Sequence, residues 1–157
     1  RTVNKEDRLE VIMYNLGSSY LSWRQLDDAE RFLLKSIQTH HESNEPALLL
    51  TYQKLALLYY ELKNEERMHY YMEKMDGCLT LCKRELYQKM NTFVHLHCEY
   101  KRDEEYVECL ESLVYDSCYP YGFRSFHAVY LLDYYQSHRR YKEALAVIKR
   151  YHLSDVS

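Results

Sequence analysis

Glycine and proline are almost missing from this chain, three and two among 157 residues, far below ordinary usage. That scarcity argues against a β-sandwich or an α/β fold, both of which need these residues for many turns and loops. Long apolar runs are also missing; none approaches the roughly 20 residues that cross a bilayer, so no membrane partner is expected. Charge of one sign does not dominate. A net charge of −3 and an isoelectric point near 6.3 give no electrostatic footprint for nucleic acid. The basic doublets Arg139-Arg140 and Lys149-Arg150 are short, lie close to acidic residues and read as solvated helix faces.

Catalytic signatures are absent too. There is no Gly-rich phosphate loop, GxSxG elbow or HExxH, so neither enzymatic activity nor a cofactor is expected. The five cysteines (78, 82, 98, 109 and 118) are an odd number without framework spacing, which suits a reduced, cytoplasmic protein better than a secreted one. No signal-peptide pattern opens the chain. It begins at Arg1 rather than Met, and both ends fall in helical or linker-like text. The reading is a piece of a larger protein whose remainder carries another activity.

What the chain does have is helical periodicity, with 46% hydrophobic and 29% charged residues. Leu9, Ile12, Met13, Leu16, Tyr20 and Trp23 recur at three- and four-residue steps in a helix starting near Asn4 or Lys5. Asp27 is a candidate N-cap for a second helix bearing Ala29, Phe32, Leu33 and Ile37. Ser43 or Asn44 caps a third with Leu48, Tyr52, Leu55, Ala56, Tyr59 and Leu62. Lys63-Asn64 makes the turn into a fourth with Met68, Tyr71, Met72 and Met75, where Gly77 falls inside or just past the helix. A fifth carries Leu86, Met90, Phe93, Val94 and His97 and ends at Lys101-Arg102. Asp103 caps a sixth with Tyr106, Leu110, Leu113 and Val114. The loop from Asp116 to Gly122 is the clearest break. A seventh helix follows with Phe126, Val129, Leu131, Leu132 and Tyr135, then an eighth with Tyr141, Ala144, Leu145, Ile148 and Tyr151.

These helices repeat. Gly17, Ala56, Val94 and Leu132 are spaced 39, 38 and 38 residues apart, and twelve residues beyond each stand Ala29, Met68, Tyr106 and Ala144. Four residues further, Leu33, Met72, Leu110 and Ile148 keep the register. Such a period marks a repeat array. In the first copy Leu16, Gly17, Tyr20 and Ala29 match the pattern W-x-x-L-G-x-x-Y, then A-x-x-x-F, with Met13 in place of the Trp and Leu33 in place of the Phe. On these residues, and on Ala144 in the run RRYKEALAVI, the chain resembles the tetratricopeptide repeat family, in a long-repeat variant like those of bacterial regulatory proteins.

The family's usual period is about 34 residues, so these helices are longer by roughly a turn, and the proline that ends each repeat is missing. The resemblance implies an all-α, right-handed α-solenoid of about four antiparallel helix pairs in one domain, residues 1–157, with repeats at about 5–43, 44–82, 83–119 and 120–153. Small residues at the first and thirteenth positions let paired helices approach toward the short end of the usual 8–10 Å or so. Gly17 with Ala29 makes the tightest pair, and Val94 with Tyr106 a wider one.

The resemblance also implies a concave groove lined by the first helix of each repeat, holding a peptide or protein segment. Residues three before, one after and four after the Gly17 position face it. These are Tyr14, Ser18 and Leu21, then Gln53, Leu57 and Tyr60, then Asn91, His95 and Cys98, then Val129, Asp133 and Gln136. Gln88 joins them. Gln53 and Asn91 are the preferred contacts, because an amide both donates and accepts and so matches an extended backbone; as plain solvated helix residues they would do neither. The family's Lys/Asn/Arg clamp for a C-terminal carboxylate is absent, since Tyr14, Ser18, Gln88 and Asn91 stand at those positions.

Tyr20, Tyr59 and Tyr135 are assigned to repeat core, whereas Tyr14 and Tyr60 are candidate contacts. Cys78-x3-Cys82 and His95-x-His97-Cys98 hold metal-ligating types, but residues 95 and 97 point to different faces and a structural site needs four convergent ligands. The functional expectation is therefore a peptide-binding regulatory module of a bacterial signalling or transcription protein. The alternative is a self-association scaffold, a homodimer through terminal helices, suggested by Val147 and Leu153 on the last helix.

Overall fold

A computed structural model describes residues 5–40 and 45–153. Among the described residues the chain is all-helical, with eight helices and no strand. They are α1 (Lys5–Ser22), α2 (Leu26–Gln38), α3 (Glu45–Glu61), α4 (Glu65–Cys78), α5 (Glu85–Cys98), α6 (Glu104–Tyr115), α7 (Tyr121–Ser137) and α8 (Tyr141–Tyr151). Asn4, one of the two expected starts of the first helix, and the expected caps Ser43 and Asn44 lie outside the described residues.

Two compact units divide the chain, Arg1–Tyr100 and Lys101–Ser157. In the first, α1 packs on α2 and α3 on α4, while α3 also meets α1, α2 and α5, and α4 meets α5. Its core holds Ala29, Leu33, Leu49, Leu55, Ala56, Leu58, Met75, Met90 and Phe93, all fully buried. In the second, α7 packs against both α6 and α8 over Leu110, Val114, Ala128, Leu131 and Val147.

Gly17 is buried where α1 meets α2. A Cβ built on it would stand 2.6 Å from Leu33 Cγ, 2.7 Å from Leu33 Cδ2 and 3.1 Å from the Leu33 amide nitrogen. Because a backbone atom is among those neighbours, the approach is one of helix to helix. Gly77 is the opposite case. It lies inside α4, exposed, with nothing within 4 Å of an added Cβ, so its place in the last turn is a matter of helix propensity alone.

Four corners between helices share an unusual turn, and His152 after α8 adopts it as well, with φ of 55°. Arg24, Lys63, Tyr100 and Arg139 all adopt left-handed backbone, with φ of 64°, 58°, 60° and 57°. Their spacings are 63 − 24 = 39, 100 − 63 = 37 and 139 − 100 = 39, close to the sequence period. After three of them the next amide reaches back to an equivalent carbonyl: Gln25 to Tyr20 at 2.9 Å, Asn64 to Tyr59 at 2.9 Å and Arg140 to Tyr135 at 2.8 Å. This is the Schellman pattern, which ordinarily places glycine at the left-handed position.

Two sequence expectations are corrected. Asp27 is not an N-cap: the Gln25 amide closes the preceding turn, so α2 starts at Leu26, and Asp27 and Asp28 fall in its first turn near the positive helix end. The fifth helix stops at Cys98, short of Lys101-Arg102, because the left-handed Tyr100 ends it. Asn64 does cap α4, its side chain accepting from the Arg67 amide at 3.1 Å.

Equivalent tyrosines each bond a glutamate of the preceding helix in the two units, at different positions along that helix. In the first, Tyr59 on α3 donates to Glu30 of α2 at 2.7 Å and accepts from Arg67 at 3.2 Å. In the second, Tyr135 on α7 donates to Glu111 of α6 at 2.6 Å, with the Arg140 guanidinium over its ring at 4.8 Å. Residues 59 and 135 are two periods apart. Both are 1% exposed, as the core assignment requires. Burial pushes the Tyr59 hydroxyl up to about 12 and raises that of Tyr135 as well, with the glutamate bond adding to each.

Candidate functional site

Three helices of the first unit carry most of the candidate residues: α1 with Tyr14 and Ser18, α3 with Gln53, Leu57 and Tyr60, and α5 with Gln88, Asn91 and His95. Since α3 touches both α1 and α5, these sets lie on neighbouring helices. Asp133 stands apart, exposed on α7 of the second unit.

The structure buries the two preferred amides. Gln53 is 1% exposed and Asn91 2%, and Gln53 Nε2 donates to Asn91 Oδ1 at 2.5 Å. Asn91 Nδ2 in turn donates to the Met75 carbonyl at 3.2 Å and toward Asp76 Oδ1 at 3.4 Å. Asp76 then engages His95 Nε2, at 2.7 Å through Oδ2 and 2.9 Å through Oδ1, and His95 Nδ1 lies 3.1 Å from Glu99 Oε2. A single polar chain thus runs from the interior between α3 and α5, over the end of α4, to a part-exposed imidazole. It joins three candidates, Gln53, Asn91 and His95, through an aspartate that the sequence did not single out. Gln53 Oε1, at the buried end of the chain, has no hydrogen-bond partner.

Removing a buried hydrogen-bond partner costs the desolvation of the group left behind, about 1–3 kcal/mol. Asn91→Ala is therefore expected to lower stability by about that amount, because it strands Gln53 Nε2. Urea unfolding of the variant against wild type checks this. A midpoint shift within error would mean that the amide pair contributes nothing to the fold.

Beside the amides sits a buried cation. Lys54 is 1% exposed, with Nζ 5.5 Å from the centroid of the Tyr14 ring. Burial lowers its ammonium to about 7. Tyr14 is hydrogen-bonded to Ser18, and burial raises its hydroxyl, with a smaller contribution from nearby Tyr87. Tyr60 packs edge-on against His97, ring centroids 4.8 Å apart, and His97 is also 5.4 Å from Phe93. The imidazole of His97 is thus part of an aromatic core, while that of His95 is polar and half-accessible.

Leu57, at 1% exposed, is core rather than lining. Gln88 is exposed and donates to the Lys83 carbonyl at 3.2 Å. The accessible part of the face is therefore formed by Tyr14, Ser18, Tyr60, Gln88 and His95, each at least partly exposed. The buried polar groups beneath hold it.

Among the described residues no group of three or more His, Cys, Asp or Glu side chains is placed to hold a metal ion. The five cysteines are free thiols. Burial pushes the Cys78 thiol up to about 11 and raises Cys82 too, which disfavours the reactive thiolate. No helix among the described residues is long and apolar enough to cross a membrane. Comparison with family models, with curated proteins and with solved structures gives no match.

Proposed function

We propose that this chain is a tetratricopeptide-like protein-interaction module, a right-handed solenoid of antiparallel helix pairs that takes an extended peptide or protein segment along the α1–α3–α5 face. The observation that carries the reading is the Gln53–Asn91 bond. It joins two residues 38 positions apart, each three before the repeat's small position, so equivalent positions of successive first helices face one another. Tyr59 and Tyr135, two periods apart, each donate to a glutamate of the helix before their own, which supports the same order of helix packing.

On this face the aromatic rings of Tyr14 and Tyr60 supply rigid contact area, and Gln88 and His95 supply hydrogen-bonding groups at the rim. Gln53 and Asn91 set the spacing of α3 and α5 rather than touching the ligand themselves. In this reading occupancy of the face is a regulatory signal in a bacterial signalling or transcription protein.

Selection from a displayed random-peptide library, followed by isothermal titration, tests the proposal. A selected peptide should bind, and Tyr60→Ala, His95→Ala and Ser18→Arg should each weaken it at least tenfold, or about 1.4 kcal/mol. Failure to select any peptide, or affinities unchanged in all three variants, would overturn it.

A further inference from the structure

The face of α1 turned away from the core carries an apolar stripe that no helix covers among the described residues. Ile12 is 51% exposed, Leu9 41%, Val11 41%, Leu16 37% and Trp23 66%. One period on, the same register is buried: Thr51 and Leu55, equivalent to Ile12 and Leu16, are both 0% exposed on α3. What covers them is α2. Thr51 Oγ1 lies 3.2 Å from Ser36 Oγ, and Tyr59, one turn beyond Leu55, donates to Glu30. In the second unit Tyr135 meets α6 through Glu111, one turn further along that helix than the counterpart of Glu30. In both units, then, the second helix of one pair seats on the first helix of the next. The stripe on α1 is built for a helix in the role of α2.

The chain carries such a helix with that side open. Three periods on from Glu30 (39 + 38 + 38 = 115) stands Leu145 on α8, 51% exposed, with Tyr141 one turn before it 64% exposed; Tyr151, the counterpart of Ser36, is buried and donates to the Val114 carbonyl. Of the two residues expected to be uncovered, Val147 is buried and Leu153 is half-buried beyond the end of α8; the open apolar side chains on this helix are Tyr141 and Leu145.

We infer that two copies of this chain associate head to tail, with α8 of one seated on the Ile12–Leu16 stripe of α1 of the other, continuing the α2-on-α3 contact between molecules. The inference rests on the repeat register of the proposed fold but not on peptide binding. Such a contact joins two different patches, so it does not close on itself by a two-fold axis and leaves one free patch of each kind on a dimer.

That asymmetry gives the test. Light scattering across a concentration series should show wild-type mass rising with concentration. The sole tryptophan, Trp23, should shift its emission to shorter wavelength as α1 becomes covered. Ile12→Asp and Leu145→Asp, both at exposed positions, should each be monomeric alone. Mixed one to one they should form a dimer, because each retains the patch the other has lost. Leu16→Lys and Tyr141→Lys provide a second pair if either first variant loses its helical circular dichroism. A wild type that stays monomeric throughout, a single variant that still dimerises, or a mixture that stays monomeric would overturn the inference. Peptide titration on monomeric Ile12→Asp keeps its failure separate from that of the groove.

Discussion

Lys54→Met should raise the melting temperature at pH 7 by several degrees, and its advantage over wild type should shrink as the pH climbs toward 10. Lys54 is buried, and its ammonium falls from 10.5 to about 7 in the fold. Below pH 7 both folded and unfolded chains carry the proton, and the fold holds that charge away from water. Between about 7 and 10.5 the unfolded chain binds a proton that the folded chain does not. Stability therefore rises with pH across that window, by about 1.4 kcal/mol per pH unit. The whole effect is on the order of 5 kcal/mol.

Other groups set the upper edge. The Cys78 thiol, pushed up to about 11, and the Tyr59 hydroxyl, pushed up to about 12, keep protons in the fold that the unfolded chain releases. Their contribution is lost as the pH rises beyond about 9. Wild type should thus be most stable near pH 9. Methionine keeps the volume and removes the charge, so the difference between the two proteins isolates the lysine. Thermal melts from pH 6 to 10 check it; parallel curves for the two proteins would show that the Lys54 amine does not titrate in this window.

Gly17→Ala should destabilise the first unit even though alanine is the better helix former. The propensity gain is about 1 kcal/mol, but the new methyl must displace Leu33 and the α2 backbone behind it, at a cost of about 1–3 kcal/mol. Gly17→Leu adds three more carbons to the same gap and should cost more than 3 kcal/mol or so. Gly77→Ala is the internal control. With open space around it, it should gain about 1 kcal/mol. Opposite signs for two glycine-to-alanine changes, both inside helices, would locate the close approach at residue 17. Equal signs would remove that approach as the reason for a glycine there.

The close approach at Gly17 was legible in the sequence because glycine weakens a helix interior and sits there mainly where a neighbouring element comes close, but the atoms nearest to it belong to Leu33 and not to the expected Ala29. The eight helices were legible as well, since their apolar steps are long and regular. The interior position of Gln53 and Asn91 was not. An amide on a helix usually faces water, and spacing fixes which side of a helix a residue occupies without saying whether a neighbour closes over that side. Lys54 was hidden for the same reason. Asp76 was missed because it belongs to a second helix, which the groove rule excludes, and only its approach to His95 reveals it. The N-cap of α2 was misplaced because Asp27 is a good capping type, whereas the tight turn through Arg24 decides where the helix begins.

That turn has a wider consequence. Four corners between helices hold left-handed backbone on Arg24, Lys63, Tyr100 and Arg139, residues for which the conformation costs about 1 kcal/mol each. None of this strain lies in the contacts between helices. The chain keeps a thermodynamic reserve at its corners, separable from its core. Its stability is open to adjustment one corner at a time, while the packed faces, and whatever they recognise, stay as they are.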